Sequence, residues 1–227
     1  MFHDLLNLFY PKICYSCEAI LLKNENVICT RCLHELPITN YHLENENPTK
    51  KVFYGRVNVE NATSLLLFEK KGNVQQLIHN LKYRGNEEIG TFLGIWLGNE
   101  LKLLDEYKKV TAVVPVPLHK SKLKKRGYNQ VEKFGQEIAK ALNVPYIDFV
   151  LVKKSATQTQ TLKKRIARWG SMDETFMIEQ PELLQNSHVL LVDDVLTTGA
   201  TLEACGTELL KAEGLTLSIA TVAFTPV

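Results

Sequence analysis

Residues Val189 to Thr201 read VLLVDDVLTTGAT, and the fold of the whole chain is decided by how that string is understood. The segment His188–Val192 is almost wholly apolar, as expected of a strand buried on both faces of a parallel sheet. It delivers two adjacent acids, Asp193 and Asp194, at its carboxyl end, where open α/β sheets place their ligands. The loop Thr197-Thr198-Gly199-Ala200-Thr201 then opens a helix expected over Thr201–Ala212. Backbone amides at a helix N-terminus point at an anion, and threonine hydroxyls add donors without adding charge. Gly199 lets the backbone approach a ligand closely or adopt a positive φ. One short segment therefore offers acceptors for sugar hydroxyls and donors for a phosphate, the parts of a ribose-5-phosphate site. A simpler reading is an acidic pair that only caps a helix. Neither a Walker loop nor a GxGxxG string occurs.

Working outward, apolar runs at Ala62–Phe68, Val110–Pro115, Ile147–Val152 and Leu215–Phe224 are expected as further strands. Between them lie helical faces: Leu77, Ile78 and Leu81, stopping near Gly85, then Val131, Phe134, Ile138 and Leu142. Gly90, Gly94 and Gly98 recur every fourth residue, flanked by Glu87, Glu88, Asn99 and Glu100, which predicts close helix packing inside a soluble domain. Strands alternating with helices give an α/β domain with a largely parallel sheet flanked by helices, placed at residues 61–227. Ahead of it, the polar stretch from Tyr41 to Lys51 reads as a linker, so residues 41–60 are assigned as linker and hood segment. Residues 1–40 hold a short apolar helix and a cysteine module.

That module carries four of the five cysteines, as Cys14-x2-Cys17 and Cys29-x2-Cys32 with eleven residues between the pairs. Two thiolates from each tight turn complete a tetrahedral shell, the spacing of a structural zinc site. Two disulfides would use the same spacing in an exported protein. The N-terminus MFHDLLNLF has no basic region and no cleavage site, so a cytoplasmic address and zinc are expected. His34 is a spare donor that a four-sulfur shell does not need, and Cys205 falls on the apolar face of its helix as a core residue.

The 227 residues are 45% apolar and 23% charged with a net charge of +2, ordinary for a globular protein and no pointer to a polyanion. No apolar run reaches the roughly 18 residues that span a bilayer, so no membrane insertion is expected. Charge is concentrated locally, in Lys120, Lys122, Lys124, Lys125 and Arg126. On pattern alone this run fits a solvated face as well as a phosphate contact.

VLLVDDVLTTGAT resembles the phosphoribosyl pyrophosphate motif of type I phosphoribosyltransferases. Together with the four cysteines, Leu81-Lys82-Tyr83-Arg84-Gly85, Val114-Pro115-Val116-Pro117-Leu118 and Lys125-Arg126-Gly127-Tyr128-Asn129-Gln130, it resembles the ComF family of competence-associated proteins over essentially the whole chain. The resemblance implies that Asp193 and Asp194 contact the ribose hydroxyls and support the reaction. It implies that Thr197, Thr198, Gly199, Ala200 and Thr201 hold the 5-phosphate. Leu118, His119 and Lys120, with Arg126 close behind, then match a pyrophosphate loop. Thr157, Gln160, Arg165 and Arg168 match a mobile loop over the active site, although Ser171 stands where the family usually has asparagine. The implied chemistry is magnesium-assisted transfer of phosphoribosyl to a nitrogen acceptor, in DNA uptake or nucleotide salvage. Two other outputs fit the same residues: a non-catalytic phosphoribosyl pyrophosphate sensor, and a competence factor that binds single-stranded DNA and other competence proteins.

Overall fold

The expected strand at His188–Val192 runs beyond its apolar core, through both acids to Leu196. A computed structural model describes residues 11–154 and 175–226. In chain order its helices are α1 (Thr30–His34), α2 (Pro48–Lys51), α3 (Asn73–Tyr83), α4 (Glu88–Leu101), α5 (Asp105–Lys108), α6 (Lys120–Arg126), α7 (Glu132–Leu142) and α8 (Ala200–Leu209). Its strands are β1 (Ala62–Leu67), β2 (Ala112–Pro115), β3 (Leu151–Lys154), β4 (Thr175–Ile178), β5 (His188–Leu196) and β6 (Thr216–Phe224).

Among the described residues, four strands form a wholly parallel sheet in the order β1-β6-β5-β2. Parallel neighbours need crossover helices, and those helices cover both faces, which is why β5 and β6 are buried at nearly every position. On one face Leu77 and Leu81 of α3, Leu93 and Leu97 of α4, and Phe134 and Ile138 of α7 pack with Leu190 and Val192. On the other, Leu202, Cys205 and Leu209 of α8 pack with Val189, Leu191 and Ile219. Cys205 is thus a core residue, as expected. Pro115 lies in register with Val192 and Asp193 with Thr221, so the ends of β2 and β6 flank the acid pair. No helix among the described residues is long and apolar enough to cross a membrane.

Two expectations need correction. Ile147–Val152 is not a strand of the main sheet: Tyr146 makes one parallel bridge to Val113, and the chain then bends away. Pro145 and Asp148, both poor strand formers, bracket that bridge. The strand proper begins at Leu151 and pairs antiparallel with β4. Nor is Tyr41–Lys51 a free linker, because Asn47 and Thr49 are fully buried, as is Phe53 just beyond. The Asn47 amide donates to the carbonyls of Tyr41, Glu44 and Ala62 at 2.9, 2.7 and 2.8 Å, and its oxygen caps α2. Thr49 Oγ1 meets Ser64 Oγ of β1 at 3.0 Å. Two of its polar side chains, Asn47 and Thr49, are thus used inside the fold, while Glu44, Asn45, Glu46 and Lys51 stay exposed. The short helix expected before Pro11 lies outside the described residues.

The glycines of α4 form a seam against α7. A Cβ at position 94 would sit 2.6 Å from the Phe134 carbonyl oxygen and 2.9 Å from its Cα, both backbone atoms that cannot yield separately. At position 90 the nearest atom would be 3.3 Å away and belongs to a lysine side chain. Gly94→Ala is expected to destabilise the fold, since overpacking costs about 1–3 kcal/mol against a helix-propensity gain near ~1 kcal/mol. Gly90→Ala should be close to neutral. Urea unfolding of both variants checks this, and equal effects would remove the seam as the cause.

Candidate functional site

Successive side chains of a strand point to opposite faces, so the acid pair straddles the sheet. Asp194 meets α3, where Lys82 Nζ lies 2.9 Å from its Oδ1. Asp193 Oδ1 accepts the Asp194 backbone N–H at 2.8 Å. Both carboxyls are buried, with 9% and 5% of their residue surfaces exposed. Burial, followed by the neighbouring Asp194 charge, holds the Asp193 carboxyl well above the usual carboxylate range. The Asp194 N–H and the charges of Lys82 and of Lys153 on β3 work against that rise without cancelling it. Asp194 Oδ2 is buried with no hydrogen-bond partner among the described residues. A buried acceptor left unpaired costs about 1–3 kcal/mol, so this oxygen has unused capacity for a donor.

The loop after β5 is held from behind. Thr197, Thr198 and Ala200 are exposed, Thr201 is half-buried and Gly199 is buried at φ +77°. Arg56 donates to the Thr198 carbonyl at 2.6 Å and, through Nε, to Glu203 of α8 at 2.9 Å. A Cβ at Gly199 would also stand 2.7 Å from Val52 Cγ1, so conformation and space both demand glycine there. The first turn of α8 is closed by Glu203 N–H donating to the Gly199 carbonyl at 2.8 Å. The amides ahead of that bond are the orphan donors of a helix start.

Leu118, His119 and Lys120 follow β2 at the same edge of the sheet. His119 caps α6, its Nδ1 accepting from the Ser121 N–H at 3.2 Å and meeting Ser121 Oγ at 2.7 Å. No residue of α6 is buried, so the basic run is an exposed helix with Arg126 half-covered at its end. There the Arg126 guanidinium lies 5.5 Å from the Tyr83 ring centroid and bonds Gln130 Oε1. Tyr128 donates its hydroxyl to the Leu81 carbonyl, one of the orphan acceptors at the end of α3, and Asn129 donates to the Val116 carbonyl at 3.0 Å. Two segments remote in sequence, 81–85 and 126–130, thus clasp each other beside the acid pair. Thr157, Gln160, Arg165 and Arg168 lie outside the described residues.

The four cysteine sulfurs lie within 4.8 Å of one another, and Cys17 Sγ is 3.7 Å from Cys29 Sγ. A tetrahedral shell with metal–sulfur bonds of about 2.3 Å has edges of about 3.8 Å, so zinc fits this cluster. His34 is not part of it. Backbone N–H groups of Ser16 and Cys29 donate to Cys14 Sγ at 3.4 and 3.3 Å, and that of Cys32 to Cys29 Sγ at 3.5 Å. Burial alone would raise the Cys14 thiol, but backbone N–H groups outweigh it and bring it to about 7. Burial pushes Cys32 up, and a dication is what lets all four ionise together. Cys14, Cys29 and Cys32 share a core with α3 and α4. Asn80 of α3 donates to the Tyr15 carbonyl at 2.6 Å, and Ser16 Oγ to the Asn73 carbonyl at 3.4 Å. The module is therefore mounted on the helix that carries Lys82.

A family model described as "Phosphoribosyl transferase domain" matches residues 132–226, from α7 through the acid pair to the end of β6. The fold is that of a type I phosphoribosyltransferase. The chain is similar over a longer span to a DNA utilization protein and to competence proteins. It is 26% identical over 215 residues to "DNA utilization protein YhgH" of Shigella flexneri, covering 91% of this chain and 88% of that protein. "Competence protein ComFC" of Bacillus subtilis is 25% identical over 198 residues, covering 84% and 75%. "Competence protein F" of Haemophilus influenzae is 30% identical over 104 residues, 45% of each chain. The relationship to the competence proteins is at low identity.

Lys82 and Arg56 were not singled out from the sequence as site residues. Lys82 stands in a quoted motif, but only the register of α3 reveals that it faces Asp194. Arg56 gave no signal, since it lies in a stretch read as linker and hood.

Metal analysis of the purified chain is expected to find close to one zinc per chain, unchanged by Cys205→Ala. Less than about half an equivalent, in a preparation free of chelators, would overturn the four-sulfur assignment. A second expectation follows from Asp193. Its carboxyl is raised in the folded state, so between the unfolded value near ~3.9 and the folded value the native protein binds more protons. This group's contribution therefore weakens stability as pH rises through that window. Asp193→Asn should melt a few degrees higher than wild type at about pH 8.5, with the gap shrinking by about pH 5.5. A gap independent of pH would show that the carboxyl is not strained.

Proposed function

We propose that the chain binds the magnesium complex of phosphoribosyl pyrophosphate and transfers its phosphoribosyl group to a nitrogen acceptor, releasing pyrophosphate. The observation that carries this reading is the buried Asp194 Oδ2, without a hydrogen-bond partner among the described residues, ahead of the threonine loop at the carboxyl edge of a parallel sheet. Ribose hydroxyls donate to Asp193 and Asp194. The 5-phosphate sits on the first amides of α8, with hydroxyls from Thr197, Thr198 and Thr201 and close approach at Gly199 and Ala200. Leu118, His119, Lys120 and Arg126 line the pyrophosphate side. Residues 41–60, fastened to the loop through Arg56, serve as the hood.

The bond from ribose carbon 1 to pyrophosphate oxygen breaks, its electron pair leaving with the pyrophosphate. The nitrogen lone pair forms the new bond, and the acceptor gives up a proton. Positive charge that develops on the ring is supported by the two carboxylates. When bound, magnesium supplies charge that offsets the departing pyrophosphate, held mainly through ligand oxygens and water. In this reading the zinc module is structural, and the protein acts in the cytoplasm in DNA uptake or nucleotide salvage, alongside other competence proteins.

One observation favours a second reading, a sensor without turnover. His119, the imidazole of the pyrophosphate loop that would have to act as base for the acceptor, has its Nδ1 engaged in capping α6. The basic helix α6, none of whose residues is buried, supports single-stranded DNA as a further ligand in either case.

Calorimetry with the magnesium–ligand complex, and pyrophosphate release with a panel of bases, amines and single-stranded DNA, separate these readings. Wild type is expected to bind, and Asp193→Asn/Asp194→Asn to lose about a hundredfold or more while staying folded. Wild-type affinity in the folded double variant would sink the assignment. Binding without release across the panel would favour the sensor.

A further inference from the structure

We propose that Lys82 is the cation that receives the pyrophosphate end of the ligand, an inference that rests on the reading of the site as one for phosphoribosyl pyrophosphate. Two adjacent buried carboxylates present a difficulty to that ligand, because a polyanion must approach a site already carrying negative charge. The structure holds a cation at that point. Lys82 Nζ is 2.9 Å from Asp194 Oδ1, yet the lysine side chain keeps 23% of its surface exposed while Asp194 keeps 8%. The ammonium is therefore the more exposed partner of the pair. An ammonium has three donors, and Asp194 takes one of them.

Its placement is fixed on both flanks. Behind, α3 is mounted on the four-cysteine module through Asn80 and the Tyr15 carbonyl. In front, the last turn of α3 is tied down by the Tyr128 hydroxyl on the Leu81 carbonyl, and Arg126 lies over Tyr83. Lys82 and Arg126, far apart in sequence, converge on one helix end beside the acids. A cation already oriented by Asp194 needs no rearrangement to meet incoming phosphate oxygens, the arrangement that makes electrostatic contacts effective. A lysine serving only to neutralise Asp194 would be needed equally by every ligand of the site, with or without a pyrophosphate group.

That difference gives the test. Wild type, Lys82→Met and Lys82→Arg are titrated with magnesium phosphoribosyl pyrophosphate, magnesium pyrophosphate and ribose 5-phosphate, with a thermal melt for each. Lys82→Met is expected to weaken the two pyrophosphate-bearing ligands by about tenfold to a hundredfold and to leave ribose 5-phosphate unchanged. Lys82→Arg should restore most of the loss. If Lys82→Met fails to fold, Lys82→Gln, which keeps donors and drops the charge, should show the same selective loss. Equal losses for all three ligands, or pyrophosphate affinity unchanged or tighter in a wild-type background that binds phosphoribosyl pyrophosphate, would overturn this inference alone. Absence of phosphoribosyl pyrophosphate binding by wild type would overturn the underlying reading with it.

Discussion

Two neighbouring carboxyls forced into the dry carboxyl edge of β5 are the constraint around which the rest is arranged. Asp193 and Asp194 are buried together, and burial next to a like charge is unfavourable for each. Cationic groups approach from both faces of the sheet, Lys82 from α3 and Lys153 from β3. Such groups do not lower the cost to zero, since one oxygen of Asp194 has no hydrogen-bond partner among the described residues. Strain of this kind persists only where the surrounding structure over-determines it. Here the over-determination is visible: parallel partners on both sides of β5, helices on both faces, and a helix end clasped by Tyr128.

Much of this was legible in the sequence wherever the signal is local. An apolar run ending in two acids and a glycine-bearing threonine loop describes a strand, an edge and a helix start within thirteen residues. Paired cysteines announce their own cluster, and glycines every fourth residue announce a seam. The Lys82–Asp194 pair was not legible, because a lysine in the last turn of an amphipathic helix looks like any solvated charge. Strand β3 was misplaced because its four residues LVKK carry little pattern, and its partner β4 lies beyond residue 174. The fold as a whole does not depend on these boundaries, since the helical crossovers constrain a parallel sheet more than any single boundary does.

Residues 41–60 show how composition misleads. Asn and Thr are turn and linker residues on average, yet Asn47 makes four hydrogen bonds within the fold and Thr49 binds Ser64. From there the chain reaches the threonine loop, where Arg56 holds the Thr198 carbonyl and Val52 fills the space a Cβ would need at Gly199. The loop's shape is thus set partly by a segment more than a hundred positions away in sequence.

The cysteine module meets α3 through contacts that are individually small: Asn80 on the Tyr15 carbonyl, Ser16 on the Asn73 carbonyl, Arg84 paired with Glu18 at 3.5 Å. Each joins one residue of the module to one residue of the helix, and the helix ends in the lysine that faces Asp194. The two parts are therefore poor cassettes for exchange. A recombination that grafted the cysteine module of one homologue onto the α/β domain of another would keep both intact internally and still mismatch their shared seam. A change on one side of that seam therefore calls for a matching change on the other.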